Sequence, residues 1–430
     1  MNARFNMHTT YILQHRVPIA NPVINAVDMK PTPVPIADAA AAERAPEPRG
    51  WPVLRLGFRP FYLGAAVFSC LAIPLWLALF LGRLSLDLTV PPLLWHAHEM
   101  LFGFGVAVIV GFLLTAGKAW TRLATPRGPV LGALAGLWLA ARLAAVVGPY
   151  ALYAVLDLLL LPLVAGILVD VLIRVGNRRN LPLAGMLIAL AAVNLLFHLS
   201  MLGALELPPL RALHGALALI VMIECVMAGR VVPAFTNSVT PGLNLKPQVR
   251  MEQTTLAFTA VALLSWVFVL PTWFAFGALA AAGVAHLCRQ WAWQPWVTRG
   301  RPILWILHAA YAWIPIGFIL LALYELGWVT VSSGVHALAV GATGGLIIGM
   351  VTRTARGHTG RPLKASHAEV TAYGLVMAAA VLRVLLPILA PQWLVMWLLA
   401  AALAWSAAFA IYLVIYTPWL LSTRLDGKDG

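Results

Sequence analysis

The sequence predicts an all-α, polytopic membrane helix bundle of about twelve transmembrane helices with both termini in the cytoplasm. Three observations predict it. The chain of 430 residues is 61% hydrophobic and only 10% charged, with a mean hydropathy of +0.87. A soluble domain carries about 25% charged residues, so this much apolar surface demands a bilayer. Apolar runs of spanning length recur along nearly the whole chain, and the basic residues fall almost entirely in alternate connections. Fibrous, disordered and disulfide-scaffold classes are excluded. Cys70, Cys225 and Cys288, the three cysteines, each sit inside an apolar run and resemble small core residues.

A helix crossing the hydrocarbon core needs about 20 apolar residues. Such runs fall at 61–82, 92–116, 128–147, 150–174, 181–203, 209–231, 253–270, 272–293, 302–326, 333–352, 368–390 and 392–416. The break between the seventh and eighth rests on Pro271 alone. Runs without period-2 alternation exclude a barrel. If the N-terminus lies inside, the first inner segment holds the seven basic residues from Arg4 to Arg59. The later inner segments hold Lys118, Arg122 and Arg127; Arg174, Arg178 and Arg179; Arg230, Lys246 and Arg250; Arg289, Arg299 and Arg301; Arg353, Arg356, Arg361 and Lys364; and Arg424 and Lys428. Together these are 25 of the 29 basic residues, against Arg83 and Arg211 outside and Arg142 and Arg383 within spans. That asymmetry is the positive-inside pattern. It also accounts for the net charge of +14 without a nucleic-acid partner, because the charges are spread over loops and form no single patch.

The domain reading follows. Residues 1–55 form a Pro- and Ala-rich cytoplasmic tail expected to be mobile, with no apolar signal-peptide core. Residues 56–420 form one transmembrane domain, and 421–430 a short C-terminal tail. Glycines Gly103, Gly105 and Gly111 in the second span and Gly341, Gly345 and Gly349 in the tenth allow close helix approach. His98, Gly103 and Gly111 share their spacing with His336, Gly341 and Gly349, which is read as chance in a chain with 34 glycines.

Orientation sorts the histidines by depth. His96 and His98 begin the second span, His198 ends the fifth, His214 begins the sixth and His336 begins the tenth, all toward the outer side. His286 and His308 lie toward the inner side, with His358 and His367 in the loop after span ten. Imidazole ligates copper and haem iron alike, so one outer layer fed by four helices suffices for both. Within it, His98 and His336 are the favoured haem ligands. Each ring also has a bland reading, a hydrogen-bonded interfacial histidine. Arg142 and Asp157 flank the VVGPY turn and are expected to pair. Arg142, Arg211 and Arg383 are alternatively candidate cations for haem propionates. Glu99, about 100° from His98 around the helix, is expected behind the ligand shell, and Asn194 is expected to orient His198 one turn later. Glu224 is either a buried acid or a proton-relay group.

Four segments resemble one family. WHAHEMLFGFGVAVIVGFLLTAGKAWT (95–121), MAGRVVPAFTNS (227–238), LHAAYAWIPIGFIL (307–320) and VHALAVGATGGLIIGMVTRTARGHTGRPL (335–363) are similar to the NnrS proteins, membrane proteins containing haem and copper and linked to the nitric oxide response. The family's PNWTG-like end after the second span is replaced here by GKAWTR (117–122), whereas GHTGRP (357–362) is intact. His96, His98, His308, His336 and His358 occupy motif positions. His198 and His214 rest on the depth argument. The resemblance implies a haem (b-type) and copper protein of the bacterial inner membrane that binds or processes nitric oxide or protects against it. It assigns no catalytic residue. No Cys-x-x-Cys-His motif is present, so turnover would take electrons from a quinol or a redox protein. The competing readings are a twelve-helix secondary transporter, and a non-catalytic nitric oxide sensor or metal-cofactor assembly factor.

Overall fold

Every apolar run of the sequence is a helix. The computed structural model describes residues 50–240, 242–246 and 248–427, so the basic residues from Arg4 to Arg49, Lys428 and the expected mobility of the tail lie outside the described residues. We number the long helices α1 (Phe58–Phe80), α2 (Pro92–Thr121), α3 (Pro129–Val147), α4 (Tyr150–Arg174), α5 (Leu181–Met201), α6 (Pro209–Val239), α7 (Val249–Val267), α8 (Thr272–Ala292), α9 (Pro302–Glu325), α10 (Val331–His358), α11 (His367–Leu389) and α12 (Leu394–Leu420). Among the described residues there is no strand. Ten of these helices are long and apolar enough to cross a membrane by length and composition, fewer than the twelve expected. The two below that mark are α7, which opens with Arg250, Glu252 and Gln253, and α8, which closes with His286, Arg289 and Gln290.

The helix starts follow from local chemistry. Proline stands at the first helical position of α2, α3, α6 and α9, where its missing N–H would have had no partner. Ser366 caps α11: its hydroxyl accepts from the Glu369 backbone N–H, and the Glu369 carboxylate accepts from the Ser366 N–H at 2.6 Å.

The packing repeats three times. In each of the sets α1–α4, α5–α8 and α9–α12, the first helix packs along the second and the third along the fourth. The fourth helix of each set packs along the first of the next: α4 on α5, α8 on α9, and α12 back on α1. The second helices of the three sets hold the centre, where α6 meets both α2 and α10. Each of these begins with a histidine on its first two turns, His98, His214 and His336. The spacing shared by α2 and α10 therefore has a structural counterpart, contrary to the chance reading. Immediately after His98, residues Glu99–Gly105 wind as π-helix, and immediately after His336 so do Ala337–Gly344. A π-turn adds one residue to a helical turn and re-aims the face beyond it, a device frequent at functional sites. Gly341, inside the second π-turn, leaves room for Trp313: a Cβ there would lie 2.4 Å from the indole.

Candidate metal centre

The N-terminal half of α2 positions two histidines that face different ways. Two residues along a helix are about 200° apart around its axis. His98 therefore turns toward α4 and α5, and His96 toward α1 and α10.

The His98 side is a dense polar cluster. The ring is fully buried between Phe102 and Phe197, with centroids 4.7 and 4.6 Å away. Its Nδ1 lies 2.8 Å from the Tyr153 hydroxyl and 3.1 Å from Glu99 Oε1. Its Nε2 lies 2.9 Å from Asn194 Oδ1 and 3.3 Å from Asp157 Oδ2. His198 Nε2 is 3.2 Å from the same Asp157 oxygen, and its Nδ1 is 2.9 Å from the Tyr150 hydroxyl. One donor atom each from His98, Asp157 and His198 lies within 4.8 Å of the others, so the three side chains can hold a metal ion. Arg142 clamps the cluster from α3, donating to Glu99 Oε1 at 2.7 Å and to Asp157 Oδ1. Gly103 makes this reach possible, because a Cβ there would press on Phe68 at 2.7 Å and crowd Arg142 and Glu99 at 3.2 Å.

Charge decides what this cluster needs. Glu99 and Asp157 bring two carboxylates, Arg142 brings one guanidinium, and all three are buried. With neutral imidazoles the cluster holds one surplus negative charge, which a low-dielectric interior does not tolerate unmatched. A proton on an imidazole offsets it, and so does a metal cation on His98, His198 and Asp157. Two imidazoles and a carboxylate suit copper and other first-row transition metals. The hydrogen bonds with Tyr153, Tyr150 and Glu99 are the outer contacts that fix such ligands.

The His96 side is a cavity. His96 stacks on Trp76 with centroids 4.0 Å apart. Together with His336 it lines two adjoining cavities. His336 Nδ1 is 2.8 Å from the Ser332 carbonyl oxygen, which fixes the ring and leaves Nε2 without a hydrogen-bond partner among the described residues. Arg383 lines the first cavity and donates to Ser332 Oγ at 3.1 Å, with no carboxylate partner among the described residues. The indole N–H groups of Trp76 and Trp405, on the same wall, are buried and unpartnered. A cation without a counter-ion and two idle donors around two imidazoles suit a flat anionic ligand with carboxylates at its edge. A haem meets that description.

The remaining expected residues are elsewhere. His98 and His336, favoured together as a haem pair, face separate sites. Asn194 orients His98 and anchors Asp157, donating to Oδ2 at 2.6 Å, in place of serving His198. Arg142 pairs with Asp157, as the ion-pair reading expected, and with Glu99, and lies in the His98 cluster apart from the His96–His336 cavity. Arg211 reaches the Val267 carbonyl at 3.3 Å, near His214, which stacks on Trp266 at 4.6 Å, so neither joins the two clusters. His308 lies 3.4 Å from Thr236 and His358 packs on Phe58, both far along the helices from the outer layer. His286 is held by Thr259 at 2.9 Å and Tyr311 at 2.6 Å, with Arg289 and Glu252 beside it. Asp157 as a ligand was missed, as were Tyr150 and Tyr153. A signal existed: 150, 153 and 157 are spaced by three and four, which puts them on one helix face.

A comparison with curated proteins finds no match. The family model described as NnrS protein matches residues 52–424, nearly the whole chain. The chain, a multi-pass membrane-type helical bundle with a buried metal-capable His/Asp cluster, belongs to the NnrS family.

Proposed function

We propose that this chain is a haem- and copper-binding protein of the bacterial inner membrane that binds or processes nitric oxide, or protects other metal centres from it. The observation that carries the reading is the pair of imidazole sites side by side at one end of the bundle. His96 and His336, with Arg383 and the indole donors of Trp76 and Trp405, suit a b-type haem: imidazoles for the iron, cation and donors for the propionates. His98, His198 and Asp157 suit one copper ion, whose charge offsets the surplus carboxylate. When bound, the two metals supply centres that ligate nitric oxide.

The chain's own residues do the rest. Ser332 fixes the His336 ring, Tyr153 and Glu99 fix His98, and Tyr150 fixes His198. The many apolar residues lining the His96–His336 cavity suit an apolar gas arriving from lipid. The missing c-type haem motif leaves a quinol or a redox protein as electron donor for any turnover. The distribution of basic residues supports twelve spans with both termini cytoplasmic, with α7 and α8 counted beside the ten helices of spanning length. A transporter would gather its substrate-binding polar groups at the midplane on broken helices, whereas the two imidazole sites lie toward one end. The test is an optical spectrum of the purified protein with metal analysis. A Soret band with stoichiometric iron and copper supports the reading, and a colourless, metal-free preparation from haem-replete cells refutes it.

A further inference from the structure

A cavity lies between α1, α2, α6, α9 and α10 and belongs to neither site just described. Its wall is apolar except for Tyr62, Glu224 and Thr343. Glu224 Oε2, Thr343 Oγ1 and the Tyr62 hydroxyl are buried without completing a hydrogen bond, although Glu224 and Thr343 are near enough to interact. Glu224 forms no ion pair with any described residue. Gly105, Ile220 and Thr343 also line the cavity of His96 and His336, so the two chambers share a wall and Thr343 stands in it.

An ionisable group set in membrane-spanning, apolar surroundings is costly and persists where it does a job. A lone carboxyl on a wall of this kind is sensitive to charge next door, because the medium between them screens little. Resting on the haem reading, we propose that Glu224 is the proton-exchanging group of the His96–His336 chamber. When one electron arrives there from an external one-electron donor, one negative charge is added. At a pH where Glu224 is ionised in the oxidised state, its carboxylate takes up one proton, forming an O–H bond, and releases it on reoxidation. Thr343 is the hydroxyl through which the two chambers communicate. The other polar groups lining the cavity with Glu224 are few, Tyr62 from α1 and Thr343 from α10, with no titratable lining residue from α2 or α9, and the neighbouring Cys225 thiol lies 3.7 Å from His286. His96, His336 and Arg383 stand in the adjoining space.

The experiment is a spectroelectrochemical titration of the purified full-length protein over a pH series, with Glu224→Gln and Glu224→Asp beside the natural chain. One proton per electron means the haem midpoint potential falls by about 59 mV for each tenfold drop in proton activity. The natural chain and Glu224→Asp should show that slope, and Glu224→Gln a flat line. The redox infrared difference spectrum should show a carboxylic C=O band that Glu224→Gln lacks. A Soret band with a pH-independent potential in the natural chain overturns the proposal, as does an equal slope in Glu224→Gln. A preparation with no Soret band overturns the haem reading itself, and the coupling with it.

Discussion

Replacing Arg142 by Met removes the one guanidinium that balances two buried carboxylates. In the intact protein Arg142 donates to Glu99 at 2.7 Å and to Asp157, and all three are 6% exposed or less. The methionine fills similar space but leaves the metal-free cluster with two surplus negative charges in place of one. Removing one partner of a buried ion pair costs about 3–5 kcal/mol, because the other charge stays buried and unmatched. Here both carboxylates lose a partner, so we expect the upper part of that range. Asp157→Asn is the contrasting change. It removes the surplus charge, keeps a polar side chain beside Asn194, and should leave the metal-free fold about as stable as before. The assay is reversible unfolding in mixed micelles, with both variants stripped of metal. Arg142→Met as stable as the natural chain, or Asp157→Asn the less stable of the two, would refute the charge argument.

Metal binding at the cluster should displace the proton that offsets its surplus charge. Copper titrated calorimetrically into stripped protein in buffers of different ionisation enthalpy should release about one proton, and Asp157→Asn should release none. Gly341→Ala should cost about 1–3 kcal/mol, because the new Cβ would meet Trp313 at 2.4 Å, whereas an alanine at Gly136, which faces open space, should be tolerated. The same micelle unfolding assay compares the two. Reporter fusions after residues 88, 205 and 330 should read as periplasmic, and those after 125, 178 and 245 as cytoplasmic; reversal at two of them would overturn the topology.

The helices were legible because a bilayer demands long apolar runs and the chain supplies them with little else. The Arg142–Asp157 contact was legible too, since the short turn between α3 and α4 forces them to run antiparallel at matching depth. Azimuth was not. Counting along the sequence puts His96, His98, His198 and His336 at one depth, but the 200° between His96 and His98 sends them to opposite sides of α2. The π-turns after His98 and His336 compound this, because no residue pattern announces the extra residue that rotates the helix beyond it. Asp157 was hidden for another reason. Its pairing with Arg142 occupies one oxygen, and only the packing of α4 against α2 and α5 shows that the other faces two imidazoles. Arg383 was a candidate propionate cation from its place within a span, and the structure adds the two idle indole donors on the same cavity wall.

The proposed function requires two separate sites that take two different metals. Haem and copper per folded protein, measured together in His336→Ala and His198→Ala, test it most directly. Loss of haem with copper retained in His336→Ala, and loss of copper with haem retained in His198→Ala, is the predicted result. Haem lost in His198→Ala and kept in His336→Ala, with the protein folded in both, would contradict it.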